Sequence, residues 1–221
     1  MILTPDWGAP WFAPYRDVAV PVMARLAQGQ PVLMLSQEMP AGELVDRCAA
    51  NLGRVSMDAL TTGRFQDEDW SRMAEAAETM GRLPLFIDDQ PALTLLDIRA
   101  KARQVKQRRG LALVVVDYLQ LCSSTSTTDK RHHQIEQISR GLKQLAKELD
   151  VCVLALSQLN RSTEGGEPQL HHLKESGAVE EDADTVILLH PMGREADRAQ
   201  TVLAKVAKNR QGPRGRIALK L

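Results

Sequence analysis

Leu111-Ala-Leu-Val-Val-Val-Asp117-Tyr-Leu-Gln-Leu121 decides the fold of this chain. An unbroken apolar run of that length, closed by a carboxylate, reads as a strand buried on both faces of a parallel sheet. Ligands of open α/β sheets bind beyond the carboxyl ends of the strands, so Asp117 stands where a site would lie. Taken alone, the same residue reads equally as a helix cap or a turn residue. Two further stretches repeat the plan of apolar strand and polar tip: Val151-Cys-Val-Leu-Ala-Leu-Ser157-Gln158-Leu-Asn160-Arg161 and Pro31-Val-Leu-Met-Leu-Ser36-Gln-Glu38-Met-Pro40. Three strands that aim polar groups at one edge of one sheet define a site.

Helical spacing surrounds these strands. One buried face is expected over 41–52 (Leu44, Val45, Cys48, Ala49, Leu52) and another over 67–81 (Trp70, Met73, Ala74, Ala77, Met80). Residues 18–28 fit a helix with Pro21 in its first turn. Leu85-Phe-Ile-Asp88 reads as a short strand. Thr94 is the expected N-cap of a helix to about 109, whose exposed faces hold Arg99, Lys101, Arg103, Lys106, Arg108 and Arg109. Ile135, Ile138, Leu142, Leu145 and Leu149 form one stripe over 131–149. Residues 123–129 and 160–172 read as loops, and 185–190 as a strand. Strands at about 201–207 and 215–221 flank Gly212-Pro213 as a hairpin. The sum is an α/β fold: a mostly parallel sheet flanked by helices, with a C-terminal antiparallel hairpin.

The 43% hydrophobic content of 221 residues suits one domain with a sizeable core. Basic and acidic residues balance at 28 each, so the whole chain gives no global argument for a polyanionic partner. The charges are uneven, however. Acidic residues crowd Glu175 to Asp184, while Lys205, Lys208, Arg210, Arg214, Arg216 and Lys220 crowd the end, as phosphate contacts or as a solvated strand edge. Cys48, Cys122 and Cys152 lack Cys-x-x-Cys spacing and read as small buried hydrophobes in a reducing compartment. No segment has the length of a membrane span and the start is no secretory signal, so a cytoplasmic protein without membrane contact is expected. His132-His133 and His171-His172 have no carboxylate or cysteine at ligand spacing and read as solvated histidines.

Six ordered elements carry a resemblance: Ser-Gln-Glu-Met-Pro at 36–40, Asp-Glu-Asp-Trp at 67–70, Val-Asp-Tyr-Leu-Gln at 116–120, Ser-Gln-Leu-Asn-Arg at 157–161, Glu175-Ser-Gly-Ala-Val-Glu-Glu-Asp-Ala-Asp184 and Lys208-Asn-Arg-Gln-Gly-Pro213. Together they resemble the C-terminal RecA-like ATPase domain of DnaB-type replicative DNA helicases, over roughly residues 18–221. Residues 1–17 read as a divergent segment ahead of an N-terminally truncated ATPase domain. The resemblance implies ATP and Mg²⁺ as cofactors, single-stranded DNA as partner, and a hexameric ring of this chain or of an intact helicase homologue.

It also implies roles for particular residues. Asp117 matches the Walker B carboxylate that supports Mg²⁺, a hard cation that prefers oxygen ligands. Glu38 matches the catalytic base for the attacking water, its bland alternative being an exposed Glu before a proline-started helix. Gln158 matches a sensor of the γ-phosphate, or simply caps the sheet. Lys208 and Arg210 match a pair that reaches the neighbouring subunit's nucleotide, Arg210 as a finger in trans worth about 10³ to 10⁵ in rate. Their alternative is a basic strand edge. Lys174, Glu175 and Gly177 match a loop that contacts the DNA backbone, with Arg161 and the loop at 123–130 as weaker candidates. Lys174 stands where the family has Arg, which keeps the charge and loses the bidentate fork.

One element is missing. No Gly-x-x-x-x-Gly-Lys-[Ser/Thr] occurs in the chain. Where the resemblance puts it, the sequence is Pro10-Trp-Phe-Ala-Pro-Tyr-Arg16, which lacks the small residues, the Lys and the hydroxyl of a phosphate cradle. Arg16 alone offers a charge. Charge-assisted hydrogen bonds contribute roughly 1.5–3 kcal/mol each, so losing three or four removes about 5–10 kcal/mol. Micromolar to millimolar binding is worth only about 4–8 kcal/mol. The reading is therefore a helicase-type domain impaired in ATP-driven translocation and unwinding. Its alternatives are a non-catalytic module that binds single-stranded DNA or joins a ring, and a gene remnant.

Overall fold

The three apolar runs lie side by side as the sequence predicts. The structure, a computed structural model, describes residues 2–4, 29–123, 131–159, 167–173, 177–192 and 201–220. Its strands are β1 (Ile2–Thr4), β2 (Val32–Ser36), β3 (Leu85–Asp88), β4 (Leu113–Asp117), β5 (Cys152–Gln158), β6 (Thr185–Met192), β7 (Thr201–Asn209) and β8 (Gly215–Lys220). The described helices are α1 (Ala41–Gly53), α2 (Met57–Thr62), α3 (Asp67–Arg82), α4 (Leu95–Arg109), α5 (Arg131–Leu149) and α6 (Gly177–Asp182). The strands form one sheet in the order β3-β2-β4-β5-β1-β6-β7-β8. β3 through β6 in that order are parallel, and the hairpin β7–β8 adds antiparallel to β6.

Burial follows from this order. β2 and β4 are buried at every residue because each has a strand on both sides and helices on both faces. One face packs on α1 through Val32, Met34, Leu44, Cys48 and Val115. The other packs on α4 and α5 through Leu35, Ile98, Val114, Ile135, Leu142 and Leu145. Helices α4 and α5 approach so closely that a Cβ on Gly141 would stand 2.1 Å from a Leu95 methyl carbon. Thr94 caps α4 as expected, its side chain accepting from Asp97 N while Asp97 answers to Thr94 N.

Several features differ from the sequence reading. Val45, expected on the buried face over 41–52, is 42% exposed. Ile2–Thr4 forms a strand between β5 and β6, which three residues cannot announce by periodicity. Met57–Thr62 forms a helix capped by Ser56, also too short to show a stripe. The buried stripe of α3 runs through Asp69 and Ala76, with Met73 and Met80 half-buried. Trp70 is left 62% exposed against Phe65, because Asp69 turns inward to accept from Gln66 N and Arg72. Cys48 and Cys122 are buried, but Cys152 is exposed. β1 reaches back only to Leu156 on β5, so the first half of β5 borders a largely apolar cavity of about 380 Å³ under α5 and α6. In both histidine pairs the ring centroids lie 4.0 Å apart, tilted for His132–His133 and edge-on for His171–His172.

Candidate functional site

The site lies where β2, β4 and β5 end together. Ser36 is opposite Asp117 in the parallel ladder, and Gln158 is the last residue of the next strand. Asp117 and Gln158 are buried, while Glu38, two residues past β2, is exposed. Ser36 shapes the turn that presents Glu38: its hydroxyl donates to Met39 O at 2.8 Å and accepts from Met39 N at 3.2 Å. The Asp117–Tyr118 peptide bond is cis. Burial pushes the Tyr118 phenol up to about 12, with the negative charges of Glu38 and Asp117 adding to the rise and Arg131 opposing it. The two carboxylates and the phenol therefore share one electrostatic neighbourhood.

Two glutamines that the sequence reading passed over hold this edge together. The buried Gln37 donates its backbone N–H to Asp117 O at 2.9 Å. Its side-chain oxygen accepts from Leu93 N at 2.9 Å, and its amide nitrogen donates to the Cys122 thiol at 3.2 Å. Gln120 spans the gap to β5: Nε2 donates to Ser157 Oγ at 3.0 Å and Oε1 accepts from Gln158 N at 3.3 Å. The carbonyls of Gln120 and Cys122 accept from Arg131 Nη2 at 2.5 and 3.3 Å, tying the turn after β4 to the start of α5. Amides standing inside apolar runs were the available signal. Their partners lie up to 85 residues away, which spacing alone does not reveal.

Lys208 and Arg210 sit elsewhere. Lys208 pairs with Val186 and Asn209 with Thr185, so both cations lie at the start of β6 rather than at the strand tips. Three strands sideways and about five residues down the sheet put Arg210 about 20 Å from Gln158. Lys208 Nζ donates to Glu180 O and, at 3.3 Å, to Glu181 O. Arg210 Nη2 donates to Glu181 O at 2.6 Å, and Nη1 lies 3.0 Å from Asp184 Oδ1. Both cations thus cap the C-terminal carbonyls of α6, where the helix dipole is negative. Lys143 holds the other Asp184 oxygen. Burial, then the Arg210 charge, lowers the Lys208 pKa.

Of the expected nucleic-acid contacts, Gly177 is the first residue of α6. Arg161, Lys174 and Glu175 lie outside the described residues, as do Arg16, the 18–28 helix and most of the 123–130 loop. Among the described residues there is no cluster of three or more potential metal-ligating side chains, and no helix long and apolar enough to cross a membrane.

The six-stranded parallel run followed by an antiparallel hairpin is the fold of RecA-like helicase ATPase domains, as solved relatives show. The ATPase domain of G40P superposes with a TM-score of 0.89 at 32% identity, over 99% of this chain and 79% of that one. A DnaB-like replicative helicase, described with its interactions with primase, gives 0.88 at 30% identity over 100% of this chain and 55% of that one. Residues 16–221 match the family described as DnaB-like helicase C terminal domain, and the chain belongs to that family. Among curated relatives, the replicative DNA helicase DnaB of Mycobacterium leprae is 43% identical over 82% of this chain and 31% of its own length. Those of Leifsonia xyli and Geobacillus stearothermophilus are 40% and 37% identical over 86% and 85% of this chain, each over 43% of its own length. The chain thus spans less than half the length of these curated relatives.

Proposed function

We propose that this chain is a replicative-helicase ATPase domain that keeps the metal-and-water half of a nucleotide site and lacks the phosphate half. Thr4 is level with Gln158, so the chain leaves β1 beside the sensor position. It continues as Pro5-Asp-Trp-Gly-Ala-Pro10-Trp-Phe-Ala-Pro-Tyr-Arg16, with no phosphate-loop pattern. Asp117, fixed at a buried strand tip, suits a Mg²⁺ ligand; the exposed Glu38 suits a base for water, and Gln158 suits a γ-phosphate sensor. The residues present therefore fit Mg-ATP only in part.

In this reading the isolated chain turns over little or no ATP, and its ring partners are further copies or an intact homologue. The roughly 20 Å between Arg210 and its own Gln158 supports a finger that serves a neighbour's nucleotide rather than its own. Lys174, Glu175, Gly177 and Arg161 would meet the backbone of single-stranded DNA, with affinity that falls as salt rises. Primase, a partner of the structural relative, is a further candidate contact of the assembled ring. Mixing the chain with an intact DnaB relative tests the reading. Changed turnover of the relative, abolished by Arg210→Ala in this chain, supports it. Turnover by this chain alone that disappears on Asp117→Ala overturns it.

A further inference from the structure

β3 is one end of the sheet, and among the described residues no strand lies against its outer side. Its orientation follows from the ladder. Val32 N donates to Pro84 O at 3.0 Å, and the register pairs Val32 with Leu85 and Met34 with Ile87. In a parallel ladder every second residue gives both its N–H and its C=O to the same neighbour. Phe86 and Asp88 therefore face β2, and the backbone groups of Leu85 and Ile87 point out of the sheet. An open edge of this kind is a template for another strand.

Helix α4 runs beside that edge and makes it selective. Four of its six basic residues are engaged inside the chain. Arg99 and Arg103 hold Glu148, Lys101 holds Asp88, and Lys106 donates to the carbonyls of Leu111 and Asp150. The Arg108 and Arg109 side chains are exposed and make no hydrogen bond or ion pair among the described residues. Both line a cavity of about 350 Å³ at the edge, together with Leu33, Phe86 and Val105. Backbone donors and acceptors, a hollow walled in part by apolar side chains and in part by the Lys101–Asp88 pair, and two uncommitted guanidinium groups thus meet in one place.

We propose that this edge docks an extended acidic segment of a partner protein, which adds as a strand along β3. An apolar side chain of the segment fills the hollow over Phe86 and Val105, and carboxylates meet Arg108 and Arg109. Guanidinium groups favour carboxylates through paired, charge-assisted hydrogen bonds, which selects against neutral or basic strands. The four-residue length of β3 limits unselective pairing, so the side-chain contacts set the preference. This inference is independent of the nucleotide site.

The test is fluorescence anisotropy of a labelled peptide of alternating valine and glutamate against the purified chain at low salt. Saturable binding is expected, with none for the matching valine–lysine peptide. Arg108→Glu with Arg109→Glu should weaken it by about tenfold or more, as charge reversal at a docking surface does. Ile87→Pro should weaken it similarly, because the lost N–H points away from β2, with a lowered thermal midpoint because the Ile87 side chain packs against the core. The fully N-methylated peptide keeps the charges without strand pairing and gives the same answer if Ile87→Pro fails to fold. Absence of saturable binding overturns the proposal, as does binding that survives N-methylation. Equal binding of a single-stranded oligonucleotide, lost on charge reversal alone, would mark a polyanion surface and also overturn it.

Discussion

Arg210 is held by its own chain: Nη1 lies 3.0 Å from Asp184 Oδ1, and the backbone N–H of Arg210 donates to Asp184 O at 2.9 Å. The hydrogen bond from Lys143 comes first among the causes that lower the Asp184 pKa, ahead of the contribution from Arg210. A carboxylate with a depressed folded pKa adds stability that is complete above its unfolded value, near 3.9, and is lost as pH falls through the folded one. Because both partners are about half exposed, solvent screens most of that gain. The expected result is a ¹³C-detected titration of Asp184 below the usual aspartate range, moving upward in Lys143→Met. An ordinary midpoint in the wild type would contradict the contact.

Gln120 joins the turn after β4 to the tip of β5 through two hydrogen bonds. Gln120→Ala removes both and leaves the buried Ser157 and Gln158 groups short of a partner. A cost of about 1–3 kcal/mol is expected by urea denaturation. A change indistinguishable from zero would mean that water replaces the amide without loss.

Thiol reactivity should separate the three cysteines. Burial pushes Cys48 and Cys122 up to about 11, Cys122 against the opposing effects of Gln37 and Arg131. Cys152 is exposed. A thiol reagent at neutral pH should modify one group per native chain quickly, and none quickly in Cys152→Ser, because access and thiolate fraction govern the rate. Fast modification of two or three would contradict the burial.

Gly141 lies against Leu95 where α4 and α5 pack together. An added methyl meets the forked end of Leu95, so Gly141→Ala forces repacking. Overpacking of this kind costs about 1–3 kcal/mol, against a small gain in helix propensity. Combining it with Leu95→Ala should recover part of the loss. Absence of such coupling would show that the helices relax apart freely.

Much of the fold was legible because its signals are local. β2 and β4 are continuous apolar runs, α5 has an unambiguous stripe, Thr94 and Asp97 spell a cap, and Gly212-Pro213 sits in the β7–β8 turn. The stripe of α3 was not, because alanines at 74, 76 and 77 let the apolar face be drawn on either side, and the inward turn of Asp69 decides it. β1 has three residues and gains its place only from β5 and β6. At the site, Glu38, Asp117 and Gln158 were visible as strand tips. The roles of Gln37, Gln120 and Asp184 depend on partners distant in sequence, and so does the commitment of four α4 cations to internal contacts.

The metal-and-water half of the site is proposed to survive without its phosphate cradle. Calorimetric titration of the purified chain with Mg-ATP and a non-hydrolysable analogue tests it most directly. No saturable heat is expected up to millimolar nucleotide, since losing the cradle's contacts outweighs the roughly 4–8 kcal/mol that micromolar to millimolar binding represents. Saturable binding that is lost on Asp117→Ala would contradict it and show that other residues of this chain replace the cradle.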